Sequence, residues 1–460
     1  MFESKLTFFR WLVFGVIGLL ALWMIGGNLL ASHLEKEIDR EISQKVKELE
    51  EEYPDREPND SALKLEAILS KEFGMGGIGK ANGQGVMKFG DYMGYHPDFK
   101  ASNNEDFDQI QELLSQYLDS QISKPNDEID PAPKELQDYL KSKADALKKL
   151  QNHVLNSELP KLEEPIEISI SYWLDGDNTI SLPSYLSLAN FQKILALDIL
   201  EKQRQGKNKE AKEMLEVSWR ISQSLQNNST LIGQLVALII SRFQAGVIRK
   251  IYNLSPYWQE RLLEHDYRLS VMRTIEGEYL FIYNSIKNFD SYLAKGKKLF
   301  DEDELKIINT ILTVLINNPL SQPYLRLSAV DSYRIFQDLE QLPTRNVCSP
   351  EKKVTITNQA WWNPIGQIAG PTFIDQELKA AKYMLELEFT QKILQVKELA
   401  KQQGKWPDSF PNLDSKFCPD RQYIYKVSED GTMTISLDKP PEWVKDRDLP
   451  LTYSDRTPPK

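Results

Sequence analysis

The chain has 460 residues, of which 41% are hydrophobic and 27% are charged, and its formal net charge is −11. This balance is typical of a globular protein with a sizeable core. The acidic charge, without a basic patch, argues against nucleic acid as a partner, because phosphate backbones are bound by clustered lysine and arginine. The four histidines lie far apart and no CxxC pair occurs, so the sequence predicts neither a metal site nor a cofactor.

An uncharged, apolar run over residues 11–31 lies close to the N-terminus. As a helix it would be about 31 Å long, which matches the hydrocarbon core of a bilayer. The alternative is a cleaved signal peptide, which has a shorter apolar region followed by small residues at the cut. Residues 28–33 offer no clean site of that kind. The sequence therefore predicts an uncleaved, single-pass anchor within residues 1–33.

The basic residues on either side of the anchor bear on its orientation. Lys5 and Arg10 precede it, which favours a cytoplasmic N-terminus by the positive-inside rule. Four basic residues also follow the span and weaken this preference: Lys36, Arg40, Lys45 and Lys47. We expect the body to lie outside the cytoplasm, attached to the membrane as a signal anchor.

Apolar residues recur every three or four positions after the anchor, from Leu34 to Tyr53. This pattern predicts an amphipathic stalk helix over residues 34–53, continuous with the anchor and ending before Pro54. Residues 54–370 then show apolar positions at helical spacing over most of their length, which predicts one large helical body. Within it, alternating isoleucines predict a small β-hairpin near residues 165–182.

The helical signal is strongest from Leu186 onward, and within this part the segment 229–252 opens with a Ser-Thr cap. It is apolar nearly all round, which predicts the buried central helix of the body. A second membrane span is the alternative, but polar residues shorten the uncharged stretch below the length required.

The C-terminal part, residues 371–440, predicts a long helix over 376–403 and then a small β-hairpin around the Asp430-Gly431 turn. A long ordered loop is expected before that helix, over the proline-containing residues 343–371. The tail, residues 441–460, is rich in proline and charge, which predicts disorder. The fold class is therefore mainly α, with a transmembrane helix, a stalk, a large helical body and small β-hairpins.

The glycine-rich stretch that starts at Gly74 matches a dinucleotide fingerprint and most of a phosphate loop as text. Both sites need a strand before the loop and a helix after it. Here a helix precedes the glycines, and Ala81 stands where a magnesium-binding Ser or Thr is needed. The sequence therefore predicts a loop that binds no nucleotide. The pair His265-Asp266 matches the metal dyad of helical HD-type phosphohydrolases, but without the other metal ligands it predicts a surface pair.

Arg242 lies within the apolar central helix and needs a partner if it is buried. Glu276 and Glu278 are the candidate partners. A buried structural ion pair is the preferred interpretation, and a ligand pocket built on Arg242 is the alternative. Cys348 and Cys418 lie in loops on either side of the last long helix. An exported body would allow a disulfide between them, and two unrelated free thiols are an equal alternative. No catalytic residue is assigned.

Two segments resemble known groups of proteins. Residues 201–283, with Gly206-Lys207 and the runs 229–236 and 268–278, resemble uncharacterised, membrane-anchored helical bacterial proteins; this implies a fold and no reaction. Residues 404–410 read Gly-Lys-Trp-Pro-Asp-Ser-Phe and, with Tyr423-x-Tyr425 and Asp430-Gly431, look like the end of pilin-like and pseudopilin-like domains, in which a long helix leads into a small sheet. Residues 1–10 depart from that family, because they lack its processing site.

The most direct expectation for function is a membrane-anchored envelope protein, non-enzymatic, that binds or scaffolds a protein partner. One alternative is an extracytoplasmic hydrolase with a pocket near the central helix. The other is an accessory component of a secretion or pilus-like apparatus. A deep pocket with convergent ionisable groups would favour the enzyme, and a large exposed apolar patch would favour the scaffold.

Overall fold

The computed structural model describes residues 2–52, 59–75, 105–161, 170, 173–174, 185–226, 228–288, 318–340, 347–348, 360–444 and 451–456. The chain is mainly α-helical, as predicted, and a small sheet follows the last helix. The described helices are α1 (Phe2–Glu52), α2 (Asp60–Phe73), α3 (Glu105–Asp108), α4 (Gln111–Ile122), α5 (Lys134–Ser142), α6 (Ala144–Asn156), α7 (Tyr185–Arg204), α8 (Asn208–Gln223), α9 (Leu231–Lys250), α10 (Tyr257–Arg261), α11 (Tyr267–Lys287), α12 (Gln322–Glu340) and α13 (Pro364–Gln403).

The anchor and the stalk form one continuous helix, α1, as the sequence predicts. Its apolar N-terminal part is long and apolar enough to cross a membrane, and its most apolar stretch is not buried against the body. The stalk, however, is not a free spacer. Ile38 and Ile42 are buried against Tyr283 of α11 and Tyr333 of α12, so this part of α1 belongs to the core of the body.

Ion pairs reinforce the contact between α1 and the body. Arg326 of α12 pairs with Glu35 and donates further hydrogen bonds to Asn28 and Ser32. Asp39 accepts two hydrogen bonds from Lys287 of α11, at 2.6 and 2.8 Å. The charged face of α1, which would serve only for solvation in an isolated stalk, is therefore used to hold the helix against α11 and α12.

Helix α9 is the buried central helix that the sequence predicts. It packs against α7, α11 and α13, and 78% of its most apolar 18-residue stretch is buried. The Thr230 side chain caps its first turn by accepting a hydrogen bond from the Gly233 backbone N–H at 3.2 Å. A helix buried on most of its surface needs apolar residues on every side, which explains why α9 is also long and apolar enough to cross a membrane.

The C-terminal sheet has three antiparallel strands in the order β1-β2-β3: β1 (Tyr423–Val427), β2 (Met433–Leu437) and β3 (Thr452–Asp455). The β1–β2 hairpin was predicted, but β3 corrects the prediction of a disordered tail over residues 441–460. A 3-10 helix, Glu442–Val444, also lies in that tail. Tyr453 is buried in the core of the sheet, which gives this polar, proline-flanked segment an apolar contact to fold on.

Two further boundaries differ from the sequence prediction. Helix α13 begins at Pro364, a favourable first helical residue, so the predicted loop over 343–371 ends earlier than expected. The predicted hairpin near 165–182 lies almost wholly outside the described residues; Ile170, Trp173 and Leu174, which are described, are helical. The glycine-rich stretch after Met75 also lies outside the described residues.

Candidate functional site

A loop between α4 and α5, over residues 124–133, joins the helical body to the C-terminal sheet. The Asp127 carboxylate accepts hydrogen bonds from Lys397 of α13, at 2.8 Å on each oxygen, and from the Tyr453 hydroxyl of β3. The Ser454 backbone N–H donates to the Pro125 carbonyl at 2.7 Å, next to this cluster. The loop over residues 124–133, whose sequence indicates only an interruption between two helices, therefore connects the helical body to the C-terminal sheet.

Lys250, the last residue of α9, is buried beneath the same loop. Its ammonium group donates to the carbonyls of Asn126, Lys124 and Glu128, the last two at 3.4 Å. Burial lowers the pKa of Lys250 to about 7. Three carbonyl acceptors match the three N–H donors of an ammonium group, so the side chain fixes the backbone of residues 124–128 in one conformation.

A cleft of about 1100 Å³ opens between this loop, the end of α9 and the sheet. Its walls are residues 125–128, Tyr252, the β1–β2 turn around Asp430, and residues 454–456. Because the loop is fixed by Lys250 and Lys397, and the sheet is fixed to the loop, two sides of the cleft are held at a set separation. This cleft is the candidate functional site.

The cleft is acidic and has an aromatic wall. Glu128, Glu429, Asp430 and Asp455 line it together with Asp127, and Arg456 is the cation among the described lining residues. The Arg456 guanidinium lies 3.9 Å from the Asp430 carboxylate. The half-exposed ring of Tyr252 lies between the loop and β3, and its pKa is raised by burial and by the charges of Asp127 and Asp455.

Asp430 contributes a negative charge to the cleft and also stabilises the β1–β2 turn. Its carboxylate accepts hydrogen bonds from the Ser428 hydroxyl at 2.5 Å, and from the Thr432 backbone N–H and hydroxyl at 3.1 and 2.9 Å. These donors lower the pKa of Asp430 to about 2. The group therefore stays ionised over the physiological range, and its position on the tip of the hairpin is set by the turn.

The predicted ion pair of Arg242 is not formed. Glu276 pairs with Lys45 of α1, and Arg242 has no carboxylate partner among the described residues. Glu278 lies at the other end of α9, where its carboxylate accepts a hydrogen bond from the Leu231 backbone N–H, and burial raises its pKa to about 7. Arg242 is largely but not completely buried, and its Nε atom is enclosed without a hydrogen-bond partner among the described residues.

The buried arginine of α9 is instead Arg249, seven residues further on. It pairs with Glu386 of α13 at 3.1 Å, and both side chains are almost completely buried. Burial lowers the pKa of Arg249, and the nearby positive charge of Arg242 lowers it further. The sequence prediction thus identified the kind of contact, a buried ion pair on α9, but assigned it to the wrong arginine.

The alternative that the protein is a hydrolase requires a pocket near the central helix, α9. A cavity lined by Gln192, Ser218 and Gln244 has room for about one water molecule, at about 10 Å³. Its polar groups bond to one another: Ser218 donates to Gln192 at 2.6 Å and accepts from Gln244 at 2.9 Å. This part of the described structure supplies a satisfied polar core, and the large cleft lies beyond the end of α9.

Cys348 and Cys418 form a disulfide, with their Cα atoms 5.5 Å apart. Arg421 donates to the Cys348 carbonyl at 2.7 Å, and Trp443 donates to the Val347 carbonyl at 2.8 Å. Of the two alternatives that the sequence left open, the structure has the bonded one. The bond ties residues 347–348 to the segment that leads into β1.

The His265-Asp266 pair has a structural role. Asp266 caps α11 by accepting a hydrogen bond from the Leu269 backbone N–H at 3.1 Å. His265 lies 3.0 Å from the Ser270 hydroxyl, and burial lowers its pKa to about 4. Among the residues that the structure describes, no group of three or more His, Cys, Asp or Glu side chains is arranged to hold a metal ion.

Comparison of the chain with protein-family models, with curated proteins and with solved structures finds no match. The resemblances of residues 201–283 and of the C-terminal part therefore stay predictions. No local sequence pattern predicts the cleft, because its walls come from segments that are far apart in the chain. The nearest signal was the cluster of Pro and Asp residues in 124–133.

Proposed function

We propose that this chain is a membrane-anchored, non-enzymatic binding protein whose body lies outside the cytoplasm and whose cleft binds a cationic segment of a protein partner. The single observation that carries the proposal is the acidic cleft between the helical body and the sheet. Carboxylates that project from two walls held at a set separation can contact a basic segment from both sides.

The disulfide and the residues before the anchor support the location. Disulfides form and persist in oxidising compartments and are rare in the cytosol. The Cys348–Cys418 bond therefore fits a body on the outer side of the membrane. Lys5 and Arg10, on the other side of the span, agree with a cytoplasmic N-terminus.

The composition of the walls supports the cationic ligand. Glu128 and Glu429 add negative charge on opposite sides of the cleft, and the Tyr252 ring offers a face on which a lysine or arginine can stack. Asp127 is engaged by Lys397 and Tyr453, and Asp430 by its own turn, so both are fixed in place. Carboxylates that are held in place suit charge recognition, since binding needs no reorganisation of the site.

Binding of short peptides to the detergent-solubilised full chain tests the proposal, with fluorescence anisotropy as the readout. A lysine- and arginine-rich peptide should bind, an acidic peptide of equal length should not, and affinity should fall as salt rises. The double variant Glu128→Gln/Glu429→Gln should weaken binding about tenfold, which corresponds to about 1.4 kcal/mol. The matched control is Glu50→Gln/Asp138→Asn, which removes two exposed carboxylates of α1 and α5. Equal losses in both double variants would reject the cleft as the site.

A second candidate is an accessory role in a secretion or pilus-like apparatus. The observation that favours it is the junction of the long helix α13 with an antiparallel sheet, in which β1 is one of the two edge strands and exposes Ile424 and Val427. An exposed edge strand can accept a strand from another protein. A photo-crosslinker at Val427 in native membranes should then capture an apparatus subunit, whereas one at the exposed Tyr257 should not.

A further inference from the structure

Several aromatic side chains lie at the end of the body that is nearest the anchor. Tyr324 belongs to the first turn of α12, and Trp361 and Trp362 form the turn before α13. Trp361 is 86% exposed, the largest exposed fraction among the large hydrophobic side chains described. We call Leu320, Pro323, Tyr324, Trp361 and Trp362 the aromatic platform.

The depth of the platform follows from its contacts with α1. The Trp23 indole N–H donates to the Leu320 carbonyl at 2.9 Å, and Gly27 packs so closely on Pro323 that an added Cβ would lie 2.8 Å from the proline ring. Trp23 and Gly27 both fall within the anchor, residues 11–31. The start of α12 therefore lies beside the anchor at a depth that belongs to the membrane or its surface.

Helices α1 and α12 run in the same direction, which sets the distance of the rest of the body from the membrane. Arg326 reaches Asn28 and Ser32 at 3.0 and 2.8 Å, and Gln337, further along α12, reaches Glu41 at 2.7 Å. Arg326 also gives Asn28, the strongly polar residue of the anchor, a charged partner. A guanidinium at this level marks the polar boundary of the bilayer, because arginine places its charge at the interface.

The turn that carries Trp361 is bonded to the same part of α12. The Tyr324 hydroxyl donates to the Trp362 carbonyl at 2.9 Å. The Asn363 side chain donates to the Ser328 carbonyl at 3.1 Å and to Asp331 at 2.8 Å. These bonds fix the turn to the first three turns of α12, which include Arg326 and its contacts with residues 28–35 of α1.

We infer that the aromatic platform docks the body directly on the lipid bilayer, with Trp361 in the zone between the headgroups and the acyl chains. Tryptophan and tyrosine prefer this zone, since one part of the ring is apolar and the other donates a hydrogen bond. The inference rests on the proposed membrane anchoring and is independent of the cleft. It gives the body a fixed orientation on the membrane, with α1 and the platform as two adjacent attachments.

The test places an environment-sensitive NBD fluorophore at residue 361 in the full chain, reconstituted in phosphatidylcholine liposomes. Trp361→Cys is labelled through its free thiol, because the native cysteines are bonded to each other. Tyr257→Cys is the control, since Tyr257 is also exposed and its helix α10 contacts α13 at Gln391, about 40 Å along α13 from the platform. Quenching by lipids that carry a doxyl group near the headgroup is compared with quenching by aqueous iodide.

The probe at residue 361 should be quenched by the doxyl lipid and protected from iodide, and the probe at residue 257 should behave in the opposite way. Iodide quenching at both positions, with the protein still resistant to alkaline extraction from the liposomes, would overturn the platform and leave the anchoring intact. Release of the protein by alkaline extraction would instead reject the anchoring on which both proposals depend.

Discussion

Lys397 donates a hydrogen bond to each carboxylate oxygen of Asp127, at 2.8 Å, across 270 residues of chain. Both side chains are buried, and the third ammonium proton of Lys397 goes to the Arg249 carbonyl at 2.6 Å. This pair connects α13, the end of α9 and the loop that forms one wall of the cleft. Stability and the shape of the site therefore depend on the same contact.

Lys397→Ala should lower the free energy of unfolding by about 3–5 kcal/mol, because it leaves the Asp127 carboxylate buried without its counter-charge. Urea denaturation in detergent measures this change. Lys405→Ala is the control: its pair with Asp408 has side chains 63% and 88% exposed, and its loss should cost less than about 1 kcal/mol. Similar values for the two variants would show that the Lys397 pair contributes no more than a surface contact.

Arg249 and Arg242, two turns apart on α9, should differ sharply in their effect on stability. Arg249→Ala strands Glu386 in the core and should cost about 3–5 kcal/mol. Arg242→Ala strands no carboxylate among the described residues, and should cost about 1 kcal/mol from lost packing. Equilibrium unfolding of both variants gives the comparison. A larger loss from Arg242→Ala would reverse the assignment of the buried pair.

The replacement of both members of the buried pair separates charge from packing. Arg249→Met/Glu386→Leu removes the two charges together, and it should recover most of the stability lost in Arg249→Ala. If the double variant is as unstable as the single one, the loss comes from packing around Arg249 rather than from an unpaired Glu386.

Much of the helical framework follows from local sequence. Apolar spacing and the Thr230 cap predict α9 to within two residues at each end, and Gly206-Lys207 marks the turn between α7 and α8. These features need only neighbours within one or two turns, so they can be read without the rest of the fold. The same holds for the hairpin at Asp430-Gly431, where Gly431 adopts a φ of +81°.

The features that escaped prediction depend on contacts between distant segments. The apolar face of α1 looks the same whether it meets a partner protein or, as here, Tyr283 and Tyr333 of its own body. Strand β3 exists because β2 offers an edge and Tyr453 a buried position, neither of which is visible in a polar tail. The cleft is harder still to predict, since its shape depends on the positions of the loop over residues 124–133, the end of α9 and the sheet together.

The disulfide should be present in the cell and should stabilise the C-terminal part. If the body lies outside the cytoplasm, alkylation of isolated membranes should label no cysteine of the protein. After reduction, alkylation should label both cysteines. Cys348→Ala/Cys418→Ala should lower the free energy of unfolding by about 4 kcal/mol in the chain-entropy model, because the bond closes a loop of 70 residues. Two thiols reactive without reduction would argue for a cytoplasmic body.

Glu278 should make stability depend on pH in the mildly acidic range. Its pKa in the folded protein is raised to about 7 by burial, against 4.5 as the ordinary value. Between these pH values the folded state keeps a proton that the unfolded state releases, so this group's contribution falls as pH rises from 4.5 to 7 and then levels off.

Glu278→Gln, which imitates the protonated side chain, should remove that contribution. The variant should therefore gain stability relative to the wild type as pH rises, with the difference growing up to pH about 7 and constant above it. Urea denaturation at a series of pH values measures the difference, and all other titrating groups cancel in it. Glu260→Gln, which makes the same replacement at an exposed position on α10, is the control. A flat difference for Glu278→Gln would mean that its carboxyl titrates in the folded protein as it does in water.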